Sequence, residues 1–206
     1  MKKRQAFFNQ AAENWDKEHY NPKLQLFLKQ FVQSFEIITG SHLLDVGTGT
    51  GILIPHLLQV VGPEGDITAI DYAQSMVNIC RIKYSHLPNV SIAIGSVEKL
   101  PFSDNFFNTI TCFGLFPHLD DKKNVLNEFH RVLQTKGKLI IAHTLSSKEL
   151  DDMHKDTNPA IGNDMLPNEN EMRKLLNQAN FAGIRINDSK GKYLCISTKT
   201  KSVSVS

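Results

Sequence analysis

Between Asp45 and Gly51 the chain reads Asp-Val-Gly-Thr-Gly-Thr-Gly, an acid followed by glycines at alternate positions. Gly47, Gly49 and Gly51 carry no Cβ, so the backbone around Thr48 can turn sharply and approach a ligand closely. The apolar run Leu43, Leu44, Val46 reads as a buried strand, with Asp45 where that strand emerges. Ile52 to Val61 then reads as a helix whose first N–H groups lack partners and can face a polar ligand. Pro55 suits that helix only because it lies in the first turn. A second acid, Asp71, ends the next predicted strand, Asp66–Ile70. It stands about 20 residues past the glycines, where a carboxylate accepts from two vicinal ribose hydroxyls. A dinucleotide loop would carry a third glycine inside the helix, and that position is Ile52 here.

Several side chains can move a proton. His19, Tyr20, His118, His143 and His154 are the candidate bases, with His118, His143 and Tyr20 the leading three. His118 follows the fourth predicted strand, at the carboxyl edge of the sheet where open α/β proteins bind ligands. His143 closes the fifth. His118, His143, His154 and Asp164 have no diagnostic metal spacing, and no metal is expected.

The elements that must position these groups alternate between strand and helix. Residues 5–18 form an amphipathic helix with Phe7, Phe8, Ala11, Ala12 and Trp15 on one face. Asp16 to Tyr20 reads as a polar link, and a second helix starts at Asn21-Pro22. After Asp71 come a helix (73–84), a strand (89–94), the segment Gly95–Phe102 and a fourth strand (106–114). Asp120 or Asp121 caps a helix that Lys136-Gly137 ends, and residues 138–144 form a fifth strand. Residues 145–166 are polar with one short helical stretch and have no clear place in this pattern, and so long a connection is unusual. Asn168 caps a last helix, followed by strands 181–188 and 192–199 and a frayed tail, 201–206. This alternation indicates a doubly wound α/β fold in one domain spanning 1–206.

The acid followed by GxGxG resembles motif I of the class I S-adenosylmethionine (SAM) methyltransferases, of the small-molecule type. Leu100-Pro101-Phe102 and the run from Phe106 to Thr144 resemble the same family. The resemblance covers roughly 36–200 and implies a Rossmann-like seven-stranded sheet in the order 3-2-1-4-5-7-6, its last strand antiparallel. Residues 1–35 would be a helical lid and 145–166 an insert. It implies SAM as cofactor, S-adenosylhomocysteine as product and in-line methyl transfer to a small-molecule acceptor. Asp45, Gly47, Thr48, Gly49, Gly51 and Asp71 are the implied cofactor site. Tyr72, Ser96 and Val97 would lie about the adenine, Met76 would belong to the same cofactor site, and the backbone of Cys112 and Phe113 would lie beside the methionine part. Three positions depart from the family pattern: Ala73 for a serine, Ser96 for an aspartate and Asn108 for an aspartate.

Composition narrows the partners. The 206 residues carry a net charge of +2 and 41% hydrophobic residues, enough for a continuous core. The only basic block is Lys2-Lys3-Arg4, so there is no electrostatic footprint for nucleic acid. No Pro-Cys nucleophile occurs, nor the Pro-Pro motif of nucleic-acid amino methyltransferases. No segment reads as a signal peptide or a membrane span, so stable membrane insertion is not expected. Cys80, Cys112 and Cys195 read as reduced, mostly buried thiols of a cytoplasmic protein. The competing readings are a SAM-sensing module without turnover and a NAD-dependent oxidoreductase. Quinone-ring methylation is one specific option for the methyltransferase reading.

Overall fold

A computed structural model describes residues 2–19, 21–155, 161–162 and 164–200. Its seven strands form one sheet: β1 (His42–Val46), β2 (Asp66–Asp71), β3 (Val90–Ile94), β4 (Phe107–Phe113), β5 (Leu133–His143), β6 (Phe181–Ser189) and β7 (Lys192–Lys199). Their order is β3-β2-β1-β4-β5-β7-β6. β1 runs parallel to β2, β2 to β3 and β4 to β5, while β7 is antiparallel to both β5 and β6. This is the order that the family resemblance implied, with the last strand antiparallel as expected. The chain divides into two compact units, Met1–Ser96 and Val97–Ser206.

In the first unit, Leu43, Leu44 and Val46 of β1 and Ile67, Ala69 and Ile70 of β2 are buried. Such continuous apolar runs are what a parallel strand covered on both faces requires. α3 (Ile54–Val61) contributes Ile54, Leu57 and Val61, and α4 (Gln74–Tyr84) contributes Met76, Val77 and Cys80. α2 (Pro22–Gln33) starts where Asn21 accepts from the Leu24 N–H at 2.9 Å, with Pro22 in its first turn. α1 runs from Lys2 to His19, so Asp16 to His19 are helical and not a polar link. Phe8, Ala12 and Trp15 of α1 pack against Tyr72, Ala73, Met76 and Ile79.

The second unit buries Leu139 to Ala142 of β5 and Tyr193, Cys195 and Ile196 of β7. α5 (Lys122–Val132) lays Val125, Leu126, Phe129 and Val132 inward and is capped by Asp121, whose carboxylate accepts from the Asn124 N–H. This helix ends at Val132, four residues before the expected stop. The N–H groups of Asn105 and Phe106 claim the carbonyls of Arg131 and Val132, and Leu133 already pairs with Phe107. β5 therefore begins at Leu133 and takes an irregularity in its register. Lys136 turns there with a φ of +68°, and a Cβ on Gly137 would sit 2.8 Å from the Gln134 carbonyl. Buried Lys199 braces the corner, donating to the Leu133 carbonyl at 2.7 Å and to Asn105 at 2.9 Å. All three cysteines are buried and none forms a disulfide. Among the described residues no helix is long and apolar enough to cross a membrane.

The short helical stretch expected after β5 is present. Ser147–Lys155 forms α6, and Leu150, Ile161 and Leu166 are buried. α7 (Glu169–Gln178) follows with a complete capping box between Asn168 and Glu171. Glu149 ties α6 to the β6–β7 turn, accepting from the Gly191 N–H at 2.8 Å, the Ser146 N–H at 2.9 Å and the Ser146 hydroxyl at 2.7 Å. These donors, Gly191 first, hold the Glu149 carboxyl down at about 2, against an ordinary 4.5. A depressed folded-state value means that the stabilisation is complete above the unfolded value and is lost as pH falls towards 2. Between pH 4.5 and 2 the melting temperature of the wild type is expected to fall more steeply than that of Glu149→Gln. The two should converge at the acid end of a calorimetric pH series.

Candidate functional site

The glycine loop and the end of β2 are joined directly. The Gly49 N–H donates to Asp71 Oδ2 at 2.9 Å, and the Thr48 N–H donates to the Ile70 carbonyl at 3.0 Å. Asp71 Oδ1 accepts from the Ala73 N–H at 2.8 Å. Gly47, Gly49 and Gly51 all adopt positive φ (+67°, +56° and +86°), which L side chains avoid. The sequence pattern is thus a conformational requirement and not only a shape. A Cβ on Gly49 would find no atom within 4 Å, so the loop there faces open space. One on Gly51 would stand 2.6 Å from Tyr84 Cε2 and 2.9 Å from Cys80 Sγ.

Asp71 is only 7% exposed, and burial pushes its carboxyl above the ordinary carboxylate range. The N–H groups of Ala73, Gly49 and Tyr72 pull it back. A carboxylate has about four lone-pair positions, so each oxygen keeps capacity after accepting one backbone N–H. Such a group can accept from two neighbouring hydroxyls at once. Asp45 is buried on β1, and after burial its charge is the next influence raising the Cys80 thiol to about 12. Cys80 is therefore an inert packing thiol.

The remaining expected cofactor residues fall in different settings. Tyr72 is half-buried, its ring edge-on to Phe8 at 6.4 Å, and its carbonyl accepts from Gln5 Nε2 at 2.7 Å. Met76 is buried in the α1–α4 cluster. Ser96 ends the first unit and Val97 begins the second, both half-buried. In the second unit, Cys112 is fully buried on β4, and half-buried Phe113 closes that strand opposite Ala142.

Of the expected bases, His118 lies in a short 3₁₀ turn (Phe116–His118) beyond β4 and bonds Asp164. His143 is 3% exposed at the end of β5, edge-on to the Tyr193 ring at 6.2 Å. Tyr20 lies outside the described residues, as do the side chains of His19 and His154. Among the described residues no three metal-ligating groups converge.

α1 supplies contacts to the loop that no sequence signal announces. Asp16 accepts from the Thr50 hydroxyl at 2.5 Å and from Lys83 Nζ at 2.9 Å. Asn9 accepts from the Ser75 N–H at 2.9 Å, capping α4, which Ala73 cannot do for itself. These partners lie 34 to 67 residues apart, beyond any local pattern.

A methyltransferase-domain family matches residues 38–193, about three quarters of the chain. The chain belongs to the class I SAM-dependent methyltransferases. A SAM-dependent methyltransferase from Aquifex aeolicus is similar over 92% of this chain and 97% of its own, with 26% identity and a TM-score of 0.72. The YcgJ protein of Bacillus subtilis shares the fold at 16% identity and a TM-score of 0.69, covering 84% of this chain and 98% of its own. Demethylmenaquinone methyltransferase of Staphylococcus aureus is 32% identical over 121 residues, 58% of this chain and 50% of the relative. The chain thus spans about half the length of the curated relatives it matches. SAM is the cofactor that this family implies. Neither the oxidoreductase nor the SAM-sensing reading is favoured by these likenesses.

The two glycines differ in what an added methyl meets. Gly49→Ala should cost about 1 kcal/mol from the left-handed backbone alone, lowering the melting temperature by about 2–4 °C. Gly51→Ala adds the collision with Tyr84 and Cys80 and should destabilise further. Parallel urea denaturation of the two variants measures the difference.

Proposed function

We propose that this chain transfers a methyl group from SAM to a small-molecule acceptor by in-line displacement. The single observation that carries the reading is the Gly49–Asp71 bond, which presents a buried carboxylate beside a backbone with open space above it. The residues suit a nucleoside. Asp71 retains acceptor capacity for the two ribose hydroxyls, and Gly47 to Gly51 let the backbone approach closely. Asp45 and Thr48 support the same loop. Tyr72, Ser96 and Val97 are assigned to the adenine end, Met76 to the cofactor site without a subsite, and Cys112 and Phe113 to the methionine end.

Bound SAM supplies an electrophilic methyl on a sulfonium, so the protein's contribution is to bind, align and exclude water. His118, His143 and Tyr20 are the candidate groups for a proton on the acceptor. α1 and α2 serve as the cover of the cofactor unit, residues 145–166 as an insert, and the whole chain as one cytoplasmic domain. The 32% identity to a demethylmenaquinone methyltransferase makes a quinone-like ring the first acceptor to try.

Titration calorimetry should show SAM and S-adenosylhomocysteine binding in the micromolar range. Asp71→Ala removes two charge-assisted hydrogen bonds, each worth about 1.5–3 kcal/mol, and should weaken binding about 100-fold or more. A folded wild-type protein that gives no heat with SAM would overturn the assignment.

A further inference from the structure

α1 carries a polar stripe beside its apolar face. Gln5, Asn9 and Asp16 recur at helical spacing, and each reaches a different margin of the cofactor cradle. Gln5 takes the Tyr72 carbonyl, one residue past Asp71, and Asn9 takes the Ser75 N–H in the first turn of α4. Asp16 reaches the glycine loop itself, through the hydroxyl of Thr50. Thr50 stands between Gly49 and Gly51. Two neighbouring loop residues are thus gripped by two carboxylates from different elements. Asp71 holds the Gly49 N–H, and Asp16 holds the Thr50 hydroxyl.

Magnitudes decide which contact of Asp16 matters. Thr50 is 1% exposed, so its hydroxyl has no water to turn to when the carboxylate is removed. A buried hydroxyl left without an acceptor carries its full desolvation cost. The ion pair with Lys83 is different, since the Lys83 and Asp16 side chains are 25% and 35% exposed. Pairs this open to solvent contribute little. Lys83 instead sets the place of the carboxylate. Its Nζ lies 5.4 Å from the centre of the Tyr84 ring, the ring that a methyl on Gly51 would strike. α1, α4 and the loop therefore meet at Thr50 and Gly51.

We propose that Asp16 is a positioning residue for the cofactor, acting through the Thr50 hydroxyl, and that docking of α1 and occupancy of the glycine loop are thereby coupled. The assignment rests on the methyltransferase reading and adds to it a residue outside the loop that sets cofactor affinity. Coupling of this kind is reciprocal. If α1 raises cofactor affinity by holding the loop, bound cofactor holds α1 more firmly by the same factor.

Titration calorimetry of the full chain with S-adenosylhomocysteine tests the first half. Asp16→Ala and Thr50→Val should each weaken binding about 10-fold, and the double variant no more than about 2-fold beyond either. Asp16→Asn keeps an acceptor for the hydroxyl and should stay within about 3-fold of the wild type. A residue that only stabilised the fold would lower the melting temperature without producing this pattern of affinities. Hydrogen exchange tests the second half. Saturating S-adenosylhomocysteine should slow exchange of the α1 amides about 10-fold in the wild type, and this gain should be lost in Asp16→Ala.

Wild-type affinity in Asp16→Ala, losses that multiply in the double variant, or an Asp16→Asn protein as weak as Asp16→Ala each overturn the proposal. So does α1 exchange in the wild type that the saturating ligand leaves unchanged. Should Asp16→Ala fail to fold, Thr50→Val, Asp16→Asn and the wild-type exchange decide alone. A folded wild type that binds no S-adenosylhomocysteine overturns the methyltransferase reading together with this role, whereas binding that is indifferent to Asp16 overturns the role only.

Discussion

One hydrogen bond, from the Gly49 N–H to Asp71, organises the first unit. It requires a loop that turns through positive φ three times, which glycine alone does cheaply. It requires a carboxylate at the tip of the neighbouring strand, and therefore the parallel register that sets Asp45 opposite Ala69 and Val46 opposite Ile70. The same carboxylate takes the Ala73 N–H, so the turn into α4 is built on the group that fastens the loop. Loop, strand end and helix start thus share one acceptor.

α1 adds a second set of constraints. Its apolar face covers α4, while Gln5, Asn9 and Asp16 reach the Tyr72 carbonyl, the Ser75 N–H and Thr50. Each contact satisfies a polar group at the margin of the glycine loop or of α4. The N-terminal helix is therefore part of how the candidate site keeps its shape, and its aromatics are packing residues first.

The second unit answers a different need. A sheet edge that ends in an antiparallel hairpin has to be held against the segments around it. Lys199 braces the Leu133 corner, and Glu149 binds the β6–β7 turn to α6. Around His118, Lys122 and Asp164 hold the turn beyond β4 from two sides, one through backbone carbonyls and the other through the ring.

While the strand order came only with the family resemblance, the amino-acid sequence by itself determined the alternation of strands and helices, the glycine loop and the acid at the end of β2. Each follows from short-range chemistry: apolar runs of strand length, residues without Cβ where the backbone must reverse, and a carboxylate at a set distance downstream. The cap at Asn168 and the start of α2 at Asn21 were legible for the same reason. Tertiary structure decided the rest. α5 stops at Val132 because Asn105 and Phe106, distant in sequence, take its last carbonyls. Asp16 belongs to Thr50 and Lys83, and Asp164 to His118, through partners 34 to 67 residues away. Such pairings depend on where the sheet carries each segment, and no spacing along the chain encodes that.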